Sequence, residues 1–289
     1  MPFQASSFIE YDEDAYSKTS EKIEWSITRR TVLPLLGLES TGKTWLLKRW
    51  LHGYDQAGHV LYIPLRRSRL RGESRSANTD LLLCFSRIAH QLNEQCDLTQ
   101  YVESPDETEP KKFWTKDQYY RAYHRLLGQL SKHHIRAIII DQAHTLSKDT
   151  WEELLELRAD LDGKLALIPC FTLRSDETAE EHWKPFAEKL HRGDQQTSLY
   201  TMPTLTAEQF PNVLLQLCAQ LQAMPDTTVL LKHKSIAAAW WPKILGNWHV
   251  IKELQAKIDH VLGPETTKLR TITMDVVRSI SLDYMVEIG

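Results

Sequence analysis

The chain has 289 residues, 42% hydrophobic and 25% charged, which excludes a disordered or collagen-like polypeptide. Lys and Arg number 35 against 38 Asp and Glu, and the resulting −3 gives by itself no reason to expect nucleic acid, although it is silent on how charge is distributed. No apolar run approaches the roughly 18–20 residues needed to span a bilayer, so no membrane contact is expected.

Residues 1–24 carry six acids (Glu10, Asp12, Glu13, Asp14, Glu21, Glu24) against Lys18 and Lys22. They lack the basic-then-apolar layout of a leader peptide and read as a loosely held acidic arm. TVLPLLG (31–37) predicts a short apolar strand, followed by a helix from about Lys43 to Gly53. HVLYIPL (59–65) predicts a second strand, and DLLLCFSRIAHQLNEQ (80–95) a helix with apolar residues at helical spacing. The segment 101–112, rich in acids and Pro, reads as a solvated loop. A helix near 115–132, the strand AIIID (137–141), a helix over 148–161 and the strand LALIPCFT (165–172) continue a strand–helix alternation. That alternation signals an α/β fold with a central parallel sheet. After about Thr204 every segment reads as helical, with Thr206 and Gln209 spaced as a capping box. The predicted organisation is an arm (1–24), an α/β core (25–203) and a small all-helical C-terminal lid (204–289). Cys84, Cys96, Cys170 and Cys218 form no CxxC pair and read as reduced, mostly buried thiols of a cytoplasmic protein. The histidines show no zinc-binding spacing.

Gly37-Leu38-Glu39-Ser40-Thr41-Gly42-Lys43-Thr44 fits G-x-x-x-x-G-K-[ST], directly after a strand and opening a helix. In such a loop backbone N–H groups converge on phosphate oxygens, helped by the positive end of the helix dipole. Lys43 would reach the terminal phosphates of ATP and the Thr44 hydroxyl would ligate Mg2+. Gly37, Glu39, Ser40, Thr41, Gly42, Lys43, Thr44 and the next residue, Trp45, form the expected nucleotide-binding set. Asp141, ending an apolar strand, is the expected carboxylate partner of the metal. Gln142 follows it, an amide that can hydrogen-bond a water but cannot take its proton. The chain lacks the [NT]KxD motif of a GTPase and the length for the two domains of a helicase.

GLESTGKT, then IIIDQAHTLSKDTWEELLELRADLDGKLALIPCFT, then LTAEQF resembles the AAA+ ATPases that assist transposition, the TniB/TnsC type. More distantly the chain is similar to the ORC/Cdc6-like and STAND branches. The resemblance implies a P-loop NTPase core with a lid and catalytic roles for Lys43 and Asp141. It also implies a γ-phosphate-sensing role for Thr172, and a trans-acting arginine at Arg192, with Arg174 as the weaker match. It further implies a bacterial protein that forms a ring or helical homo-oligomer on double-stranded DNA and engages a transposase. Alternatives from the same resemblance are a STAND-like signalling or defence switch and an ORC/Cdc6-like DNA loader.

Three departures stand out. The family's Asp-Glu pair is Asp141-Gln142 here, predicting slow hydrolysis. The lid turn Gly246-Asn247-Trp248-His249 has no arginine, and Pro34 and Pro169 fall inside strands that the fold places centrally. Residues 66–75 hold Arg66, Arg67, Arg69, Arg71 and Arg75 against Glu73, a local +4 inside the −3 total. With the resemblance, this loop is the expected DNA-backbone contact.

Overall fold

A computed structural model describes residues 13–65, 88, 116–174, 177–192, 199–263 and 270–283. The chain divides into two compact units. One comprises Thr19–Gly37 and Trp50–Thr201, the other Met1–Lys18, Leu38–Arg49 and Met202–Gly289.

The first unit is built on a five-stranded sheet: β1 (Leu35–Leu38), β2 (Val60–Pro64), β3 (Ala137–Asp141), β4 (Ala166–Leu173) and β5 (Tyr200–Thr201), in the order β2-β3-β4-β1-β5. Neighbouring strands are parallel, with Val60 beside Ala137, Ala137 beside Ala166, and Leu35 beside Tyr200. All five residues of β3 are buried, as a parallel strand covered on both faces requires, which is why it reads as a continuous apolar run. Helices of this unit include α3 (Lys116–Lys132), α4 (Lys148–Asp160) and α5 (Glu177–Arg192). Leu126, Leu130, Trp151, Leu154, Leu157 and Leu190 join Ile138, Ile140 and Phe171 in one core. Ser147 caps α4, its hydroxyl accepting the Thr150 N–H at 3.3 Å.

The two prolines have a register explanation. Leu167 N–H donates to Thr31 and its carbonyl receives Leu33 N–H, whereas Ala166 N–H donates to Arg136. Because both main-chain groups of a residue in a parallel strand point to the same neighbour, odd residues of β4 face β1 and even residues face β3. Pro169 therefore turns its missing donor toward β1. The Val32–Leu167 bridge, carried two residues on, sets Pro34 beside it. The ladder breaks there, and β1 proper begins at Leu35. Pro34 offers its carbonyl to Tyr200 N–H (3.1 Å), so its own missing donor lies on the β5 side, before that strand starts.

The acidic arm does not extend unbroken to residue 24. Helix α1 (Glu13–Arg29) runs through it, burying Thr19, Ile23, Ser26 and Ile27 along one stripe. Trp50 Nε1 donates to Glu24 at 3.2 Å. The charges of the solvent face mask the Ile23/Ile27 pair in the sequence.

The second unit contains α2 (Lys43–Gly53, up to Arg49), α6 (Phe210–Gln220), α7 (Thr227–Ile244), α8 (Trp248–Leu262) and α9 (Met274–Asp283). Phe210, Leu217, Ile236, Trp240, Ile251, Leu254 and Ile280 form its core. Trp240 is inside this core, its indole N–H donating to Ser281 at 2.9 Å. The capping-box contact is present, with Gln209 Oε1 accepting Thr206 N–H at 3.0 Å, although α6 begins only at Phe210.

The C-terminal segment is not all helical. Strands β6 (Ala223–Pro225) and β7 (Arg270–Ile272) pair in parallel, too short to carry a period of their own. Arg270 explains their placement: its guanidinium donates to Asp259 (2.8 Å) and to the carbonyls of Gly263 (3.1 Å) and Leu221. It thereby satisfies the C-terminal ends of α8 and α6. Cys170 and Cys218 are buried, and burial pushes the Cys218 thiol up to about 11, away from reactivity. Cys84, Cys96 and the predicted helix 80–95, apart from the buried helical Ile88, lie outside the described residues.

Candidate nucleotide site

The glycine-rich segment folds into a tight turn. Leu38 ends β1, and Leu46 N–H makes the first α2 bond to the Gly42 carbonyl at 2.9 Å, so the helix opens where the turn closes. Within the turn Ser40 (φ +61°) and Gly42 (φ +86°) are both left-handed. Such alternation turns successive N–H groups toward one concavity that suits an anion, beside the positive end of the α2 dipole. The Leu38 carbonyl closes the turn, accepting Thr41 Oγ1 at 2.8 Å and the Lys43 ammonium. Lys43 is only 6% exposed and Thr41 is buried, while Glu39 and Thr44 are exposed and Ser40 and Trp45 half-buried.

Trp248, the first residue of α8, reaches this turn. Its backbone N–H donates to the Ser40 carbonyl at 2.8 Å. A Cβ added to Gly42 would lie 3.4 Å from its indole Cδ1. Asn247 caps the helix, accepting His249 N–H at 2.9 Å. Gly246 (φ +72°) is required just before, because a Cβ there would sit 2.8 Å from the Leu205 carbonyl. The turn without an arginine thus presents an indole and a main-chain donor to the phosphate loop.

In the sheet unit, parallel pairing brings the C-terminal ends of the strands to one edge. Gly37 on β1, Asp141 on β3 and Thr172 on β4 lie toward that edge. Asp141 is 2% exposed, and both carboxylate oxygens accept: Oδ2 from the Tyr62 hydroxyl at 2.6 Å and Oδ1 from Gln142 N–H at 2.9 Å. Gln142 is left-handed (φ 61°, ψ 39°), and its carbonyl accepts both Thr145 N–H and the Thr145 hydroxyl. Its buried side-chain Oε1 has no hydrogen-bond donor among the described residues. His144 Nδ1 accepts the Thr172 N–H at 3.3 Å, which fixes the end of β4. The imidazole also stands edge-on to Trp183, 6.0 Å between ring centres.

Arg174 is exposed just past β4, and Arg192 is the last residue of α5, its side chain outside the described residues. Arg66, Arg67, Arg69, Arg71 and Arg75 also lie outside them. Sequence reading missed Tyr62, Trp248 and the contact that His144 makes. Tyr62 gives no signal because strand pairing is not local, and Trp248 is visible only as the residue where an arginine was expected.

A family model described as an AAA domain matches residues 27–177, more than half of the chain. Comparison with curated proteins gives no significant match. Among solved structures the chain is similar to that of Drosophila ORC bound to DNA, with 12% identity and TM-score 0.57, covering 99% of this chain and 69% of that one. It is also similar to Cdc6p from Pyrobaculum aerophilum (14%, TM-score 0.54), covering 89% of this chain and 63% of that one, so it spans less than two thirds of that relative. The Aeropyrum pernix ORC2 protein, solved as ADPNP–ADP complexes, gives 11% identity and TM-score 0.55, covering 94% of this chain and 71% of that one. At these identities the likeness is one of fold.

The left-handed turn makes a prediction. Gly42→Ala forces an L-residue to φ +86° at a cost of about 1–2 kcal/mol, and should weaken binding of a fluorescent ATP analogue roughly fivefold to thirtyfold. Because the cost is conformational, adding Trp248→Ala should not restore affinity. Restoration would show that the indole contact was the obstacle.

Proposed function

Because the chain belongs to the AAA domain family, we propose that it is an ATPase whose ATP-bound form assembles on double-stranded DNA and presents a platform to a transposase. The observation that carries the ATPase part is the turn Leu38–Gly42, left-handed at Ser40 and Gly42 and running into α2. The ATP phosphates would lie on this turn, and Lys43 would exchange the Leu38 carbonyl for a phosphate oxygen. The donor chemistry suits Mg2+, with a hydroxyl at Thr44 and a carboxylate at Asp141 that accepts from Tyr62 and Gln142, both hard oxygen donors. When bound, Mg2+ neutralises charge on the phosphates. Thr172 would sense the γ-phosphate, with Arg192 or Arg174 acting on a neighbouring subunit's ATP.

Gln142 sets the rate in this reading. Its amide can hold the attacking water but cannot accept its proton, so ATP persists and hydrolysis acts as a slow release timer. Gln142→Glu should speed single-turnover hydrolysis on the order of 10² to 10⁴-fold, and an unchanged rate would remove residue 142 from the water-activating role.

The DNA part draws on the resemblance to transposition helpers and on the local +4 at residues 66–75, where arginines without interleaved aromatics suit backbone tracking. A second reading, an ORC/Cdc6-like DNA loader, is favoured by the three structures of similar fold. Electron microscopy with and without ATP and duplex DNA separates them. Rings or filaments that need both ligands support the transposition helper, and discrete particles of few subunits on DNA support the loader. Monomers under every condition contradict both.

A further inference from the structure

Asp141 is held by a residue from a different strand. β2 and β3 pair with Tyr62 beside Ile139 and Pro64 beside Asp141, so the Tyr62 ring lies one step back from the carboxylate. The ring is 9% exposed, and its hydroxyl donates to Asp141 Oδ2 at 2.6 Å, the short range of a charge-assisted O–H···O⁻ bond. Gln142 N–H takes the other oxygen at 2.9 Å. A phenol hydroxyl in this position fixes the plane of the carboxylate.

We propose that Tyr62 is a positioning residue for the metal of the ATPase reaction, holding the Asp141 carboxylate in one orientation toward Mg2+. The proposal rests on the metal role given to Asp141 above. Removing the hydroxyl leaves Oδ2 without that donor in a site 2% exposed, where bulk water has little access to replace it. The carboxylate then turns, and the metal is held less well. Nucleotide binding through the phosphate loop does not involve this hydroxyl.

The test is a Mg2+ titration of fluorescent ATP-analogue binding, comparing wild type with Tyr62→Phe. Tyr123→Phe is the matched control: Tyr123 is buried in the same unit and its hydroxyl donates to Asp160 at 2.7 Å, an equivalent tyrosine–aspartate bond in another place. Tyr62→Phe should raise the Mg2+ concentration for half-maximal binding about tenfold to a hundredfold, the size expected for one hydrogen bond to a charged group. Tyr123→Phe should leave that midpoint at the wild-type value, whatever it does to the melting temperature. An unchanged midpoint in Tyr62→Phe, or equal shifts in both variants, would overturn the proposal. In an Asp141→Asn background Tyr62→Phe should add no further shift, and an additive one would also overturn it. A wild-type protein whose nucleotide binding ignores Mg2+ would instead remove the metal role of Asp141, and the positioning role of Tyr62 with it.

Discussion

Parallel pairing of the strands is the constraint on which the rest depends. In a parallel sheet every strand ends at the same edge, so residues far apart in sequence arrive together without any contact between their side chains having to specify it. Gly37, Asp141 and Thr172 are brought toward one edge in this way, on β1, β3 and β4. The cost is that the strands must be buried on both faces and continuously bonded. The β4–β1 ladder shows how far that demand bends: Pro169 removes one donor on the β1 side and Pro34 one on the β5 side, and β1 is shortened to four residues. The shortened strand then feeds directly into the left-handed turn.

Much of this was legible in the sequence, for physical reasons. β3 coincides with the apolar run Ala137–Asp141 because a doubly covered strand must be apolar throughout. The turn after β1 was legible because its backbone geometry demands glycine, and Gly42 at φ +86° is such a position. Helices α3 and α4 follow their apolar spacing closely. Elements that depend on distant partners were not legible. Helix α1 is charged outside, and its Ile23 and Ile27 gain meaning only when buried. Strands β6 and β7 are three residues each and are placed by pairing and by Arg270. The bond from Tyr62 to Asp141 spans 79 residues of sequence, beyond any local pattern.

The phosphate loop shares a compact unit with the C-terminal helices, and there its turn is met by the first N–H and the indole of α8. A helix N-terminus needs acceptors for its first donors, and the Ser40 carbonyl supplies one. Where the transposition-helper resemblance leads one to expect an arginine, this chain has a backbone contact and an aromatic cover. The phosphate loop and the start of α8 are therefore bonded to one another, and a change in the turn has a direct route to the helix. At the sheet edge Asp141 is fixed from two sides, while Gln142 holds a buried amide oxygen that finds no donor among the described residues. In the proposed function, that residue is where the site departs from a rapid hydrolase. The overall −3 joins an acidic N-terminal segment to an arginine-dense stretch.

The account stands on the claim that the turn following β1 binds a nucleoside triphosphate. Isothermal titration of the full chain with ATP and Mg2+, set beside Lys43→Ala, tests it most directly. Saturable one-to-one binding by the wild type, weakened about a hundredfold or more in the variant, is the predicted result, as expected when a buried charge facing phosphates is removed. Equal binding by the two proteins, or no binding by either, would contradict it.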